Sequence, residues 1–589
     1  MNIQDKINQA EFPIVVTASA GTGKTYSLVN KVKYCVEQGV NPVNMLIFTF
    51  TVDAANELKK RVPNGSLMTI GTIHSVMYSI IREHSPKRYF VLDNGAQMKF
   101  VMDLFKELKI DFDCLGKYLG LVGMAKNTYT DYYELLQHSP QLLEEFFGNS
   151  KVLNFAMEYE KKKEHNHKID FDDMTLKAYE LLSNNPNILD NRQERWKYIF
   201  VDEAQDLCPP QIDIINLLAE KYKNLFIVGD EKQAIYASFR ASTAEFLKNF
   251  KIKYPNAVEF NLPTTYRCAE TICGAGNIIA SKIDNTVINT ASRKQGHIRF
   301  DMEFETQRDE ATAVCKKAIE EFGNDKEVKI LYRTNAQSLT YQQILLSQNI
   351  PFSINQANSI FYTKEAKVAL ACVNMKYEYA GMDYVERATT LNALRPLLKN
   401  KWGLYEITGR MKKEKKCPFD NPEYFMDGKC RDTLDELTFY WREAKAMRSI
   451  SDIFNSVADW IEQLDDVFSP TAIDNLIGIA EFAAPCQSVS QLNELIAIIQ
   501  KPRMLNPGER AISLSTIHGA KGLEADIVFL TGVVDNLLPH KLGLPQEEMN
   551  LFYVGVTRAR EDLYISGFHS FGKNTYDTHS YVSIIRKEE

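Results

Sequence analysis

The eight residues Ala18-Ser19-Ala20-Gly21-Thr22-Gly23-Lys24-Thr25 constrain this chain more than any other stretch. They follow a β-branched apolar run, Phe12 to Thr17, and precede a helical period from Tyr26 to Val36, so they read as the turn between a buried strand and a helix. They fit G-x-x-x-x-G-K-S/T, with Ala18 in place of the first glycine. Small residues let backbone N–H groups approach phosphate oxygens, and a helix N-terminus favours the negative charge. Ala20, Gly21, Thr22, Gly23, Lys24 and Thr25 are therefore candidate phosphate-binding residues. Lys24 would reach the terminal phosphates, and the Thr25 hydroxyl would face Mg²⁺. A chance match in a glycine loop does not explain the strand before it and the helix after it.

A phosphate loop of this kind needs a second metal ligand and a group that accepts a proton from water. Ile199-Phe200-Val201-Asp202-Glu203-Ala204-Gln205-Asp206 supplies both at the end of an apolar run. Asp202 would hold Mg²⁺ and Glu203 would take the proton of the attacking water. A solvated acidic turn leaves the apolar lead into two adjacent carboxylates unexplained. Together the two motifs indicate a Mg²⁺-dependent nucleoside triphosphatase.

Met45 to Phe50, Tyr198 to Val201 and Leu225 to Val228 are further short apolar runs alternating with helical stretches such as Ala54 to Arg61. That alternation is the mark of a parallel, doubly wound sheet. Val328 to Tyr332, Ala511 to Ser515 and Ile527 to Thr531, with a helical period from Thr340 to Ser347, indicate a second such core. The segments 85–175 and 376–505 are helical and polar. The expected architecture is α/β, with two parallel-sheet P-loop cores each interrupted by a mainly helical insertion. The first core takes residues 1–84 and 176–263 around insertion 85–175. The second takes 264–375 and 506–589 around insertion 376–505. A length of 589 residues points to the same number of pieces, about four.

With 69 Lys+Arg against 76 Asp+Glu, the chain carries −7 and no overall attraction for a polyanion. Any nucleic-acid contact must be a local groove. The basic runs Lys161 to Lys163 and Lys412 to Lys416 read first as solvated helix faces, with duplex contact as the alternative. The ten cysteines form no CxxC and no Cys/His cluster, as expected of buried thiols in a reducing compartment. Ala18-Ser19-Ala20 imitates a signal-peptidase site but lacks a basic segment before it. No apolar run reaches the ~18 residues of a membrane span. A cytoplasmic location without a membrane partner is expected.

Further blocks extend the two motifs. Thr49-Phe50-Thr51 with Ala54-Ala55, Gly71-Thr72-Ile73-His74-Ser75, Gly229-Asp230-Glu231-Lys232-Gln233-Ala234-Ile235-Tyr236, Tyr266-Arg267, Leu331-Tyr332-Arg333-Thr334-Asn335-Ala336-Gln337-Ser338, Thr516-Ile517-His518-Gly519-Ala520-Lys521-Gly522-Leu523-Glu524 and Tyr553-Val554-Gly555-Val556-Thr557-Arg558-Ala559 follow in order. With the phosphate loop and Asp202-Glu203-Ala204-Gln205-Asp206, this series resembles superfamily 1A DNA helicases of the UvrD/Rep/PcrA group from near residue 4 to residue 565.

The resemblance implies two RecA-like cores with ATP between them. Arg267 and Arg558 would stabilise charge developing on the γ-phosphate, a role worth on the order of 10³–10⁵ in rate in related enzymes. Gln233 would sense that phosphate, Tyr266 would stack on adenine, Gln4 would hydrogen-bond it, and Glu524 would contact the ribose. Phe50, Tyr236 and Phe239 would be stacking platforms for bases, each worth roughly 1–3 kcal/mol without sequence preference. Thr51, His74, Arg240, Arg333, Asn335, Thr516 and His518 would be further DNA contacts. Three departures from the family bear on the DNA path: Val52-Asp53 replaces Asn-Lys, the Tyr236-to-Arg240 segment is one residue longer, and Met549-Asn550 replaces a basic residue.

The expected activity is ATP hydrolysis coupled to 3′→5′ movement on single-stranded DNA and to unwinding at single-strand/duplex junctions. The alternative is an ATP-gated translocase or DNA-binding subunit that depends on a partner, such as a nuclease, in repair or phage defence. A metabolite kinase with the same phosphate loop gives no reason for Gln233, Tyr266-Arg267 and Arg558 in this order.

Overall fold

In a computed structural model of the chain, the apolar runs of the first 262 residues become β1 (Ile14–Ala18), β2 (Met45–Thr49), β3 (Thr69–Thr72), the short pair β4 (Phe90–Val91) and β5 (Lys168–Ile169), β6 (Tyr198–Val201), β7 (Leu225–Gly229) and β8 (Val258–Leu262). The structure describes residues 2–108, 115–130, 150–236, 244–283, 289–354, 359–399, 401–464, 468, 471–500 and 509–586. Six of the strands form one sheet in the order β3-β2-β6-β7-β1-β8, parallel throughout, with Val15 beside Ile227 and Leu46 beside Ile199. β2 and β7 are buried at every position. Strands covered by helices on both faces carry apolar residues without alternation, which is why these runs are legible. Val15, Leu46, Ile199 and Ile227 point into one core, and Val16, Ile47, Phe200 and Phe226 into the other.

The helices Asn94–Leu108, Leu115–Thr128 and Ser150–His165 lie in the predicted first insertion. They pack Phe105, Tyr118 and Phe155 edge to face, with centroids 5.1–5.3 Å apart. Beside that core, Lys126 and Lys163 are buried between three carboxylates. Lys126 Nζ lies 2.8 Å from Asp170, 2.7 Å from Asp173 and 2.9 Å from Glu160. Lys163 Nζ lies 2.7, 2.5 and 3.1 Å from the same residues. Asp170 and Asp173 also form a capping box at the start of the helix Phe171–Asn184, so the ion cluster fixes where that helix begins. Of the Lys161–Lys163 run, only Lys161 is the solvated side chain expected of the whole run, at 75% exposure against 2% for Lys163.

β9 (Thr264–Ala269) and β10 (Thr290–Arg293) make a separate parallel pair. The second large sheet contains β11 (His297–Thr306), β12 (Val328–Tyr332), β13 (Phe352–Ile354), β14 (Ile512–Thr516), β15 (Ala525–Leu530), β16 (Ala559–Phe571) and β17 (Asn574–Thr575). Its order is β11-β16-β15-β12-β14-β13, all parallel, with β17 antiparallel to β16. Glu310 lies buried inside this unit and accepts hydrogen bonds from Gly532 N–H (2.8 Å), Ser566 (2.7 Å) and Tyr341 (2.9 Å). Burial pushes its carboxyl up to about 7. Among the described residues, six α-helices from Tyr384–Ala393 to Val489–Gln500 lie in the predicted second insertion. The architecture is the expected α/β one: two parallel-sheet cores, each with a mainly helical insertion.

The chain divides into two compact units, Met1–Gly296 with Leu544–Thr557, and His297–Gly543 with Arg558–Glu589. The division falls beyond residue 264, where the sequence places the start of the second core. Among the described residues every cysteine is buried and outside any disulfide, and no helix is long and apolar enough to cross a membrane.

Removing one partner of a buried ion cluster leaves an uncompensated charge, at a cost of about 3–5 kcal/mol. Lys163→Met should therefore lower the denaturant midpoint of the first unit by that equivalent. Lys161→Met should stay within about 0.5 kcal/mol of the unsubstituted chain. Equal effects of the two substitutions would contradict the cluster's role.

Candidate nucleotide and DNA sites

Gly23 heads the helix Lys24–Glu37 in the left-handed conformation (φ 89°), and no side chain caps that helix. Its first-turn N–H groups are thus the donors that an anion takes at a helix N-terminus. Gly21 is left-handed too, and a Cβ there would fall 2.4 Å from Arg267 Cβ and 2.7 Å from Thr265 Oγ1. The loop is held from outside by backbone and side-chain contacts. Tyr266 N–H donates to the Gly21 carbonyl (2.9 Å), the Thr265 hydroxyl to the Ala20 carbonyl (2.9 Å), and Ala20 N–H to the Tyr553 hydroxyl (3.3 Å). These contacts place β9 and the helix Pro545–Val556 with the first unit.

Asp202 and Glu203 follow β6 directly. The Thr25 hydroxyl donates to Asp202 Oδ2 (3.0 Å), and Lys24 Nζ stands 3.5 Å from Glu203 Oε2. Burial, reinforced by the neighbouring Glu203, pushes the Asp202 carboxyl up to about 7. Glu203 takes a left-handed backbone (φ 53°) and donates its N–H to Asp202 Oδ1 (3.0 Å). Such a conformation in a non-glycine residue costs about 1–3 kcal/mol and concentrates at functional sites. A hydroxyl and a buried carboxylate whose charge is disfavoured form an oxygen donor set suited to a hard divalent cation.

The set continues through Gln205, which is fully buried. Its Nε2 donates to Glu203 Oε2 (2.7 Å), and its Oε1 accepts from Asp230 N–H (3.0 Å). Asp230 Oδ2 in turn accepts from Gln233 Nε2 (2.7 Å). Lys24, Glu203, Gln205, Asp230 and Gln233 are therefore one polar chain. Tyr266 is exposed, and Arg267 Nη1 donates to the Thr557 carbonyl (3.4 Å). The Gln4 amide is engaged locally, donating to Asn8 (2.9 Å) and accepting from Ser27 (2.8 Å). In the second unit Arg558 Nη1 donates to the Leu523 carbonyl (3.3 Å), and Glu524 lies 3.4 Å from Arg560.

Among the candidate DNA residues, the Phe50 and Tyr236 rings stack at 5.5 Å with 13° between their planes. Thr51 caps the helix Val52–Arg61, accepting from Ala54 N–H (3.1 Å). His74 meets Phe171 edge-on at 5.9 Å. Phe239 and Arg240 lie outside the described residues. In the second unit Arg333 and Asn335 flank Thr334 at the end of β12, and Thr516 accepts from Gly519 N–H (3.1 Å). Asn335, Thr516 and Gly519 line one small pocket. Burial, with Arg333 and Lys521 nearby, pushes His518 down to about 4.

A domain model described as the UvrD/REP helicase N-terminal domain matches residues 2–255, and one described as the UvrD-like helicase C-terminal domain matches 260–381 and 429–570. The chain belongs to the UvrD-like helicase family. Among curated relatives of this family, the "ATP-dependent DNA helicase PcrA" of Bacillus subtilis (strain 168) is 27% identical over 96% of this chain and 82% of its own length. The PcrA of Staphylococcus aureus (strain Mu50 / ATCC 700699) is 27% identical over 95% and 82%. The "Putative ATP-dependent DNA helicase YjcD" of Bacillus subtilis (strain 168) is 26% identical over 95% and 77%. The two parallel-sheet cores are the RecA-like pair of this helicase family.

Sequence reasoning assigned no role to Gln205, Thr265, Asn550 or Tyr553. Gln205 stands inside a quoted motif, three residues after Asp202. The other three act across 245, 316 and 533 residues of chain, and no local period marks such contacts.

The His518 ring should titrate with a midpoint near 4, against about 6.5 for a free histidine. An unfolded chain takes up this proton first, so the site's contribution to stability is full above pH 6.5 and declines as pH falls toward 4. Selective ¹³C labelling of histidine, with His518→Gln to assign the signal, reads the midpoint. A value at or above about 6 would contradict the burial argument.

Proposed function

We propose that this protein is a DNA-stimulated ATPase that moves 3′→5′ on single-stranded DNA and separates the duplex ahead of it. The observation that carries the proposal is the polar chain from Lys24 through Glu203, Gln205 and Asp230 to Gln233, in the unit that also presents the stacked Phe50–Tyr236 pair. A hydrolytic centre and a γ-phosphate sensor linked in this way belong to a motor more than to a metabolite kinase. The DNA track is supported by family membership and by relatives named ATP-dependent DNA helicase.

In this reading the P-loop residues Ala20 to Thr25 hold the phosphates, and Lys24 neutralises the terminal ones. Mg²⁺, held by Thr25 and Asp202, would supply charge neutralisation at the phosphate oxygens. Glu203 orients water and accepts its proton, its carboxylate fixed by Gln205 and Lys24. Arg267 and Arg558 stabilise charge on the γ-phosphoryl group, while Tyr266, Gln4 and Glu524 hold the nucleoside. Phe50 and Tyr236, with Phe239, stack bases, and Thr51, His74, Arg240, Arg333, Asn335, Thr516 and His518 contact the strand. A second reading, a translocase that unwinds only with a nuclease or repair or defence partner, draws on Val52 and Asp53. Both are exposed at the first turn after Thr51, at the place of the Asn-Lys pair in the motif that this segment resembles.

ATP turnover measured without nucleic acid, with single-stranded DNA and with RNA should rise with DNA. Unwinding should start from a 3′-tailed duplex, whereas loading on 5′ tails alone would refute the polarity. Lys24→Ala should abolish hydrolysis. Arg558→Ala should retain nucleotide binding and lose turnover by on the order of 10³-fold; wild-type turnover in that variant would remove Arg558 from the site.

A further inference from the structure

The departure at Met549-Asn550 falls on the helix Pro545–Val556, in the same unit as the phosphate loop. Asn550 is 4% exposed. Its Nδ2 donates to the Ala234 carbonyl at 2.7 Å. Gln546, one turn earlier, donates to Asn550 Oδ1 (3.3 Å), so the amide has its donor end toward Ala234. Ala234 is the residue after Gln233 and two before Tyr236. The carbonyl that Asn550 holds thus sits between the sensor glutamine and the stacked Phe50–Tyr236 rings. One turn further along the same helix, Tyr553 receives the Ala20 N–H of the phosphate loop. A single rod therefore grips the loop that surrounds phosphate and the loop that leads to the aromatic platform.

We infer that Asn550 is a positioning residue that couples the nucleotide state sensed at Gln233 to the Phe50–Tyr236 platform. It fixes the Gln233-to-Tyr236 segment to the rod that carries Tyr553, so displacement of Gln233 moves Tyr236 relative to Phe50 instead of being absorbed at Ala234. In place of a basic side chain, this chain uses a short neutral amide, which reaches the carbonyl without burying a charge. The inference rests on the proposed DNA-stimulated hydrolysis and names a residue through which that stimulation passes.

The test compares Asn550→Leu and Asn550→Asp, which remove the donor at nearly constant size, with the unsubstituted chain. Turnover without DNA and the KM for ATP should stay within about twofold, while stimulation by single-stranded oligonucleotide should fall about tenfold, equivalent to ~1.4 kcal/mol of coupling. In a Gln233→Ala background, Asn550→Leu should cause no further loss, because both act on one segment. Thermal unfolding of each variant reports folding; should Asn550→Asp be unstable, Asn550→Leu carries the comparison. Retained stimulation, a parallel loss of basal turnover, or additive losses with Gln233→Ala would each overturn the inference. An unsubstituted chain whose hydrolysis ignores DNA would instead overturn the functional reading on which it rests.

Discussion

Two adjacent carboxylates at the end of a buried strand are the constraint around which the first unit is arranged. Burial is the larger cost of charging Asp202, and repulsion from Glu203 adds to it. The fold answers with donors from three directions: Thr25 and Lys24 from the phosphate loop, the Glu203 backbone N–H from its strained turn, and the Gln205 amide from the residue after next. Each donor also belongs to a loop that must be placed. The carboxylates consequently register the phosphate loop against the Gln233 segment.

That registration depends on chain far from either motif. The Ala20–Gly21 backbone is held by Thr265, Tyr266 and Tyr553. Gly21 is required there because any Cβ would strike Arg267. Close packing of β9 on the phosphate loop explains why the compact division falls at Gly296 instead of at residue 264. It also puts Arg267 beside the loop through its backbone neighbours, independent of any contact made by the guanidinium.

The legible part of the fold is the part written in consecutive residues. β6 and β12 appear in the sequence with their observed limits, Tyr198–Val201 and Val328–Tyr332, because strands covered on both faces need uninterrupted apolar runs. The phosphate loop and Asp202-Glu203 are legible because their chemistry is local. Thr265, Asn550 and Tyr553 were silent because a threonine, an asparagine and a tyrosine become specific only when the fold supplies a partner hundreds of residues away, and Gln205 because its link to Asp230 spans 25 residues and a strand. Lys163 shows the converse. In sequence it is one of three equal lysines, and helical phase alone turns it toward Asp170 and Asp173 while Lys161 faces water.

The same selection by geometry bears on how a net-acidic chain can engage DNA. Lys126 and Lys163 are spent on internal carboxylates, and Lys162 lies 2.6 Å from Glu107, so counting cations overstates what is presented to a polyanion. Arg333 and Lys521 act in the opposite sense. Burial first, and their positive charge second, push His518 down to about 4. Burial alone lowers a histidine, so only the part of the shift owed to Arg333 and Lys521 reports positive surroundings. A charge of −7 over the molecule is then compatible with locally positive surroundings at Arg333 and Lys521, because an exposed charge is felt only over about a Debye length, ~8 Å at physiological salt.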